Sequence, residues 1–180
     1  MIIYLARHAE TNYNVLGLSN SDPNVDVHLT SKGIEQAQEL AKVLEQSPID
    51  LAFASYLPRT LETARYITSG RNIEIRQDDR LNDLNMGHEG KSVNEYHKAL
   101  SEEPDIWTAK FNDGESHDEL LEKVDSFLQY LREQKASYSN ILVVSHYTVL
   151  QLLIARIKNI PKQSALDIDI VQGDFVKLEL

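Results

Sequence analysis

The chain has 180 residues, a length that favours one domain spanning 1–180, with the 42% hydrophobic and 26% charged composition of an ordinary globular protein. It contains no cysteine, which excludes disulfides, thiolate nucleophiles and cysteine-ligated metal. The net charge of −10 argues against nucleic acid as a partner, and the lack of a long apolar run or a basic leader argues against a membrane or secretory role, so a cytoplasmic enzyme is expected.

The first element is the apolar run Ile2 to Ala6, a short stretch of strand formers that ends abruptly on Arg7, His8 and Glu10. Thr11 to His28 is polar and turn-rich and reads as a long loop, with no Lys or Arg between His8 and Ser31. Thr30 or Ser31 can cap a helix through about Gln46, whose apolar face is Ile34, Ala37, Leu40, Ala41 and Leu44. Leu51 to Ala54 reads as a second buried strand, and Ser55 to Pro58 opens another helix with Arg59 in its first turn. Ile73 to Gln77 is a third strand, followed by an irregular polar segment from Asp78 to Gly90.

Ser92 with Glu95, and Ser116 with Glu119, have the spacing of capping boxes and start two further helices. The second of these carries the stripe Leu120, Leu121, Val124, Phe127, Leu128 and Leu131. Ile141 to Val144 is a fourth buried strand that ends on Ser145 and His146, and Val149 to Ile157 is a buried helix. Leu166 to Val171 and Phe175 to Leu180, on either side of Gln172-Gly173-Asp174, read as a closing hairpin whose free edge offers a surface for a homodimer. Alternating strands and helices imply an α/β fold.

Three buried strands thus end on basic or hydroxyl residues: Arg7 with His8, Ser55 followed by Arg59, and Ser145 with His146. If these strands are parallel neighbours, their carboxyl ends gather all three sets at one rim, where α/β folds bind ligands. Two guanidinium forks, two imidazoles and the starts of the following helices suit a phosphoryl group.

These motifs resemble those of the histidine phosphatase superfamily, also called the phosphoglycerate mutase-like family. Arg7-His8-Ala9-Glu10-Thr11 with Asn14 is similar to the family's R-H-G-E-T-x-x-N, and Leu29 to Ala37 to its L-T-x-x-G-x-x-Q-A. Ser55 to Ala64 resembles the segment that supplies a second arginine, and Arg80 to Gly90 the acid-bearing segment. Gly114-Glu115-Ser116 resembles G-G-E-S, and Val143 to His146 the segment of the second histidine. The order of these six matches, spread over nearly the whole chain, carries far more than any one of them.

The resemblance implies a three-layer α/β/α sandwich around a mostly parallel sheet. It also implies a phosphomonoesterase of the histidine acid phosphatase type that needs no cofactor and no metal. His8 would be the nucleophile that forms a phosphohistidine, Arg7, Arg59 and His146 would hold the phosphoryl oxygens, and Asn14 would add a hydrogen bond. Asp83 stands where the family usually has a glutamate general acid, one methylene longer, with Glu89, Glu10 and Asp79 as substitutes. Ala9 and Tyr147 replace glycines and would add bulk near the pocket, where Tyr147, Glu10 and Glu89 are candidate substrate contacts. His28 and His88 lie in segments that border the pocket, while His97 and His117 read as helix-surface residues. The expected partner is a small phosphorylated substrate or a phosphoprotein, with phosphate as product. Two alternatives are phosphoglycerate mutase-type transfer and a weakly active phospholigand-binding or regulatory domain.

Overall fold

The computed structural model describes residues 1–180. Its centre is a five-stranded sheet built from β1 (Ile2–Arg7), β2 (Leu51–Ala54), β3 (Glu74–Gln77), β4 (Asn140–Ser145) and β5 (Phe175–Glu179), in the spatial order β3-β2-β4-β1-β5. The first four run parallel, and β5 pairs antiparallel with β1. Strands β1, β2 and β4 are near-continuous apolar runs because helices cover both of their faces. Strand β3 lies at an edge, and its two end residues are exposed.

Successive residues of a strand point to opposite faces, and this alternation divides the core in two. Ile3, Leu5, Leu51, Phe53, Ile141 and Val143 face one helical layer, which includes α5 (His117–Glu133) and α6 (Tyr147–Lys158). Tyr4, Ala6, Ala52, Ala54, Leu142 and Val144 face the other layer, formed by α2 (Ser31–Val43) and α3 (Pro58–Thr68). The expected three-layer α/β/α sandwich is what the chain forms. None of its helices is long and apolar enough to cross a membrane.

Local signals account for most element boundaries. The Thr30 hydroxyl accepts from Gly33 N at 3.0 Å to start α2, and Ser116 with Glu119 closes a full capping box at α5. At α4 (Val93–Ser101) the box is only half made: Ser92 caps the Asn94 N–H, and Glu95 does not return the bond. Helix α2 stops at Val43, short of Gln46. The polar stretch after β1 contains a helix missed by periodicity, α1 (Asn12–Leu16), which buries no residue and rests on a Thr11–Asn14 capping box.

The expected C-terminal hairpin does not form. Lys162–Asp167 is a 3-10 helix, and only Phe175–Glu179 enters the sheet. Side chains claim the carbonyls that a strand would have used: Gln151 Nε2 donates to Leu166 O at 2.7 Å and Ile168 O at 2.8 Å, and Arg7 Nη1 donates to Ile170 O at 2.9 Å.

Gly33 shows how closely α2 is seated under the end of β1. A Cβ at that position would stand 2.0 Å from the Glu10 carbonyl oxygen, a backbone atom that cannot rotate away. Gly33→Ala is therefore expected to destabilise the fold by about 1–3 kcal/mol, read as a lower denaturation midpoint in urea with an unchanged slope.

Candidate active site

The sheet register brings the expected residues together. Arg7 pairs with Ser145 and Ala54 with Val144, so β1, β4 and β2 end level with one another at their carboxyl rim. His8 and His146 follow directly on β1 and β4, and their rings lie 5.2 Å apart with a 58° tilt. A cavity of about 420 Å³ opens at this rim, and Arg7, His8, Asn14, Arg59, Asp83, Glu89 and Tyr147 all line it. His146, fully buried, and Glu10 do not.

The His8 ring is held in one tautomer. Its Nδ1 lies 2.8 Å from the Ala9 carbonyl, which can only accept, so Nδ1 carries the hydrogen and Nε2 presents a lone pair. Burial, followed by the charge of Arg59, pushes the imidazole well below its ordinary pKa and keeps it neutral. A neutral imidazole with a bare Nε2 is a nucleophile.

Arg59 reaches the site from the first turn of α3, where Pro58 fits because a first-turn N–H has no helical partner. Its Nη1 donates to Asn20 Oδ1 at 2.8 Å, and its Nη2 donates to Asn20 O at 3.1 Å and Asp83 Oδ2 at 3.0 Å. Asp83 Oδ2 also lies 3.4 Å from His146 Nδ1, a nitrogen buried without a hydrogen-bond partner, while His146 Nε2 meets Ser55 Oγ at 2.9 Å. Burial raises the Asp83 pKa against the opposing pull of Arg59. A carboxyl group that holds its proton higher than usual is suited to donating it.

Arg7 stacks over the Tyr147 ring at 4.6 Å, and the Tyr147 hydroxyl donates to Asp169 Oδ1 at 3.3 Å. Tyr147 thus forms a wall behind the guanidinium. Asn14 Oδ1 accepts from Thr11 N, Thr11 Oγ1 and Gln172 Nε2, which leaves the amide NH2 as the group available to an anion.

Several expectations need correction. Glu10 faces away from the cavity: its carboxylate accepts from Thr30 Oγ1 at 2.9 Å and Lys32 Nζ at 2.8 Å, fastening the end of β1 to α2. Ala9 adds no bulk to the pocket, because it packs against Leu29 and Ala37 and donates its N–H to Thr63. His28 is paired with Asp26 on the surface and does not line the cavity. Asp79 lies in a 3-10 turn and is not in the lining either.

His117 is buried, not a surface residue, whereas His97 is exposed as expected; both nevertheless line the cavity, as does His88. The sequence held a signal for each. Val93, His97 and Leu100 form one helical row, and His117 precedes Leu120 and Leu121 by three and four residues, on the buried stripe of α5. Asn20, buried and bonded to Arg59, carried no such signal, because it sits in an irregular turn.

Burial lowers the pKa of His8, His117 and His146 alike. Groups depressed in the folded state contribute stability above their unfolded pKa of about 6.5 and lose it as the pH falls. Raised Asp83 acts in the opposite direction, losing its contribution as the pH rises through its shifted value. With three imidazoles against one carboxyl, the melting temperature is expected to drop between about pH 7 and pH 5, by less in His8→Gln, as followed by circular dichroism.

Comparison with known proteins agrees with this geometry. Adenosylcobalamin/alpha-ribazole phosphatase of Escherichia coli K12 is 32% identical over 188 residues, covering 100% of this chain and 90% of that protein. GpmB of Shigella boydii, described as a probable phosphoglycerate mutase, is 32% identical over 176 residues, covering 91% of this chain and 77% of that protein. The crystal structure of the alpha-ribazole phosphatase from Shigella flexneri superposes with a TM-score of 0.87 at 32% identity, covering 100% of this chain and 91% of that one. Residues 3–180 match the family model of the histidine phosphatase superfamily (branch 1), and the chain belongs to that superfamily.

Proposed function

We propose that the protein is a metal-independent phosphomonoester hydrolase that works through a phosphohistidine on His8. The observation that carries this reading is the arrangement of His8, with Nδ1 pinned to Ala9 O and Nε2 free, in a cavity lined by two guanidiniums and a carboxyl of raised pKa. In the first step Nε2 attacks phosphorus, the bond from phosphorus to the ester oxygen breaks, and Asp83 gives its proton to the departing alkoxide. In the second step Asp83 takes a proton from water as the water oxygen attacks phosphorus, and the N–P bond breaks to release phosphate and free His8. Arg7, Arg59 and the Asn14 amide hold the phosphoryl oxygens and offset the negative charge of the transition state. In the tautomer with hydrogen on Nδ1, His146 accepts from Ser55 at Nε2 and directs its N–H toward Asp83, so it acts from behind the carboxyl and not on the phosphoryl oxygens.

The cavity volume suits a small molecule, and the names of the curated relatives make alpha-ribazole phosphate the first substrate to test. Arg7 and Arg59 are the only Lys or Arg residues in the lining, which favours hydrolysis over mutase-type transfer on a phosphoglycerate, a substrate with a carboxylate to bind as well. An acid-side optimum accords with the reading, because Asp83 must be protonated and His8 neutral at the same pH.

The test is hydrolysis of an aryl phosphate, an alkyl phosphate and alpha-ribazole phosphate with EDTA present. Activity should persist in EDTA, fall by at least about a thousandfold in His8→Ala, and decline as the pH rises through the Asp83 pKa. Asp83→Asn should slow the alkyl ester about ten- to a hundredfold more than the aryl ester, whose leaving group needs little protonation. Equal losses on both esters would remove Asp83 as the acid, and phosphate binding without turnover would favour the binding-domain alternative.

A further inference from the structure

The loop that carries Asn20 is fastened across the cavity mouth to the segment 88–93. Ser19 N donates to Lys91 O at 2.9 Å, Gly90 N donates to Ser19 O at 3.0 Å, and Val93 N donates to Gly17 O at 2.9 Å. Beside this backbone zipper stands Glu89, an exposed residue whose carboxylate is nonetheless fully engaged. Oε1 accepts from Asn20 Nδ2 at 2.8 Å, and Oε2 accepts from Ser21 N at 2.6 Å, Ser21 Oγ at 3.0 Å and Asp22 N at 3.3 Å.

Asn20 is thereby caught between opposite charges. Its Nδ2 faces the Glu89 carboxylate while its Oδ1 faces the Arg59 guanidinium, and both neighbours require the same amide orientation. A flipped amide would set N–H against guanidinium and oxygen against carboxylate. The Asn20 carbonyl takes a second Arg59 hydrogen, so one residue receives two of the five N–H groups of that fork. The direction in which the remaining N–H groups point therefore depends on where Asn20 sits.

We propose that Glu89 is a positioning residue for phosphate binding, acting through Asn20 to orient the Arg59 guanidinium. This rests on the reading of Arg59 as a phosphate ligand. A carboxylate is an acceptor at both oxygens, and four donors converge on it here, whereas an amide in its place can accept at one end only. Glu89→Gln, although isosteric, must leave either the Asn20 amide or the Ser21 and Asp22 N–H groups facing another donor.

The sign of the effect separates positioning from simple charge. Removing a negative charge beside an anion site should tighten phosphate binding if Glu89 acts only through the field. Loss of orientation should weaken it.

The experiment measures the Kd of inorganic phosphate by titration calorimetry, and KM and kcat on an aryl phosphate, for wild type, Glu89→Gln, Glu89→Asp, Asn20→Ala and the Glu89→Gln/Asn20→Ala double variant. Phosphate Kd and KM should rise about fivefold in Glu89→Gln, with a smaller change in kcat, and Glu89→Asp should restore part of the loss. The double variant should bind phosphate no more weakly than Asn20→Ala alone, because one residue acts through the other. Unchanged or tighter phosphate binding in Glu89→Gln, or additive losses in the double variant, would overturn the proposal. If Glu89→Gln melts well below wild type, Glu89→Asp at matched stability decides in its place. Wild-type protein that binds phosphate but hydrolyses nothing would end the hydrolase reading and leave Kd to decide this one, while absence of phosphate binding in wild type would overturn both.

Discussion

Everything at the rim depends on the parallel register of β1 against β4. Because Arg7 pairs with Ser145, the two strands release their next residues, His8 and His146, side by side at one height. The His8 N–H donates to the Ser145 carbonyl at 3.0 Å, so the ladder runs one bond beyond the strands and into the site. A register slip of one residue would turn every side chain of β1 to the opposite face. Tyr4 and Ala6 would then oppose α5 and α6, and the imidazole would leave the rim. The apolar pattern that fills the two halves of the core is therefore also what aims the His8 imidazole.

Around that fixed pair the electrostatics follow from burial. Arg7 and Arg59 are taken out of water with few carboxylates to compensate them, and their proton affinity is lowered as a result. Asp83 lies against Arg59 yet is itself desolvated enough to hold its proton more tightly than usual. Each group is destabilised in the form that water would favour, and under the proposed reading a doubly charged phosphoryl group between the guanidiniums would offset the cost of burying them. This is preorganisation in a concrete sense, since the charges are fixed before the ligand arrives.

How far the sequence could be read depended on the source of each signal. Buried strands β1, β2 and β4 stood out as apolar runs with abrupt polar ends, and the N-cap at Thr30 and the capping box at Ser116 marked helix starts. Arg7, His8, Arg59, Asp83 and Tyr147 were recognisable from strand ends and ordered motifs, and all five face the cavity. Legibility stopped where side chains of one segment satisfy the backbone of another. Gln151 and Arg7 claim the carbonyls of 166–170 and remove a hairpin that the two segments flanking the Gln172-Gly173-Asp174 turn suggested. Lys32 and Thr30 draw Glu10 away from the cavity, and Asn20 gains its place only through partners at 59 and 89. Such long-range polar pairs leave no periodic trace in the chain.

The sheet order places β1 between β4 and β5, so the strand that leads into His8 is flanked by segments 140–145 and 175–179. During synthesis the apolar run Ile2 to Ala6 emerges long before the neighbours it pairs with. Contacts of such long sequence separation are entropically slow to close, and an unpaired apolar strand is open to misassociation in the meantime. A ribosome-bound fragment ending before Asn140 would have α2 and α3 but no partner for β1 and no His146. The rim that sets His8 beside His146 can therefore close only once segment 140–145 has been made, long after the strand it encloses.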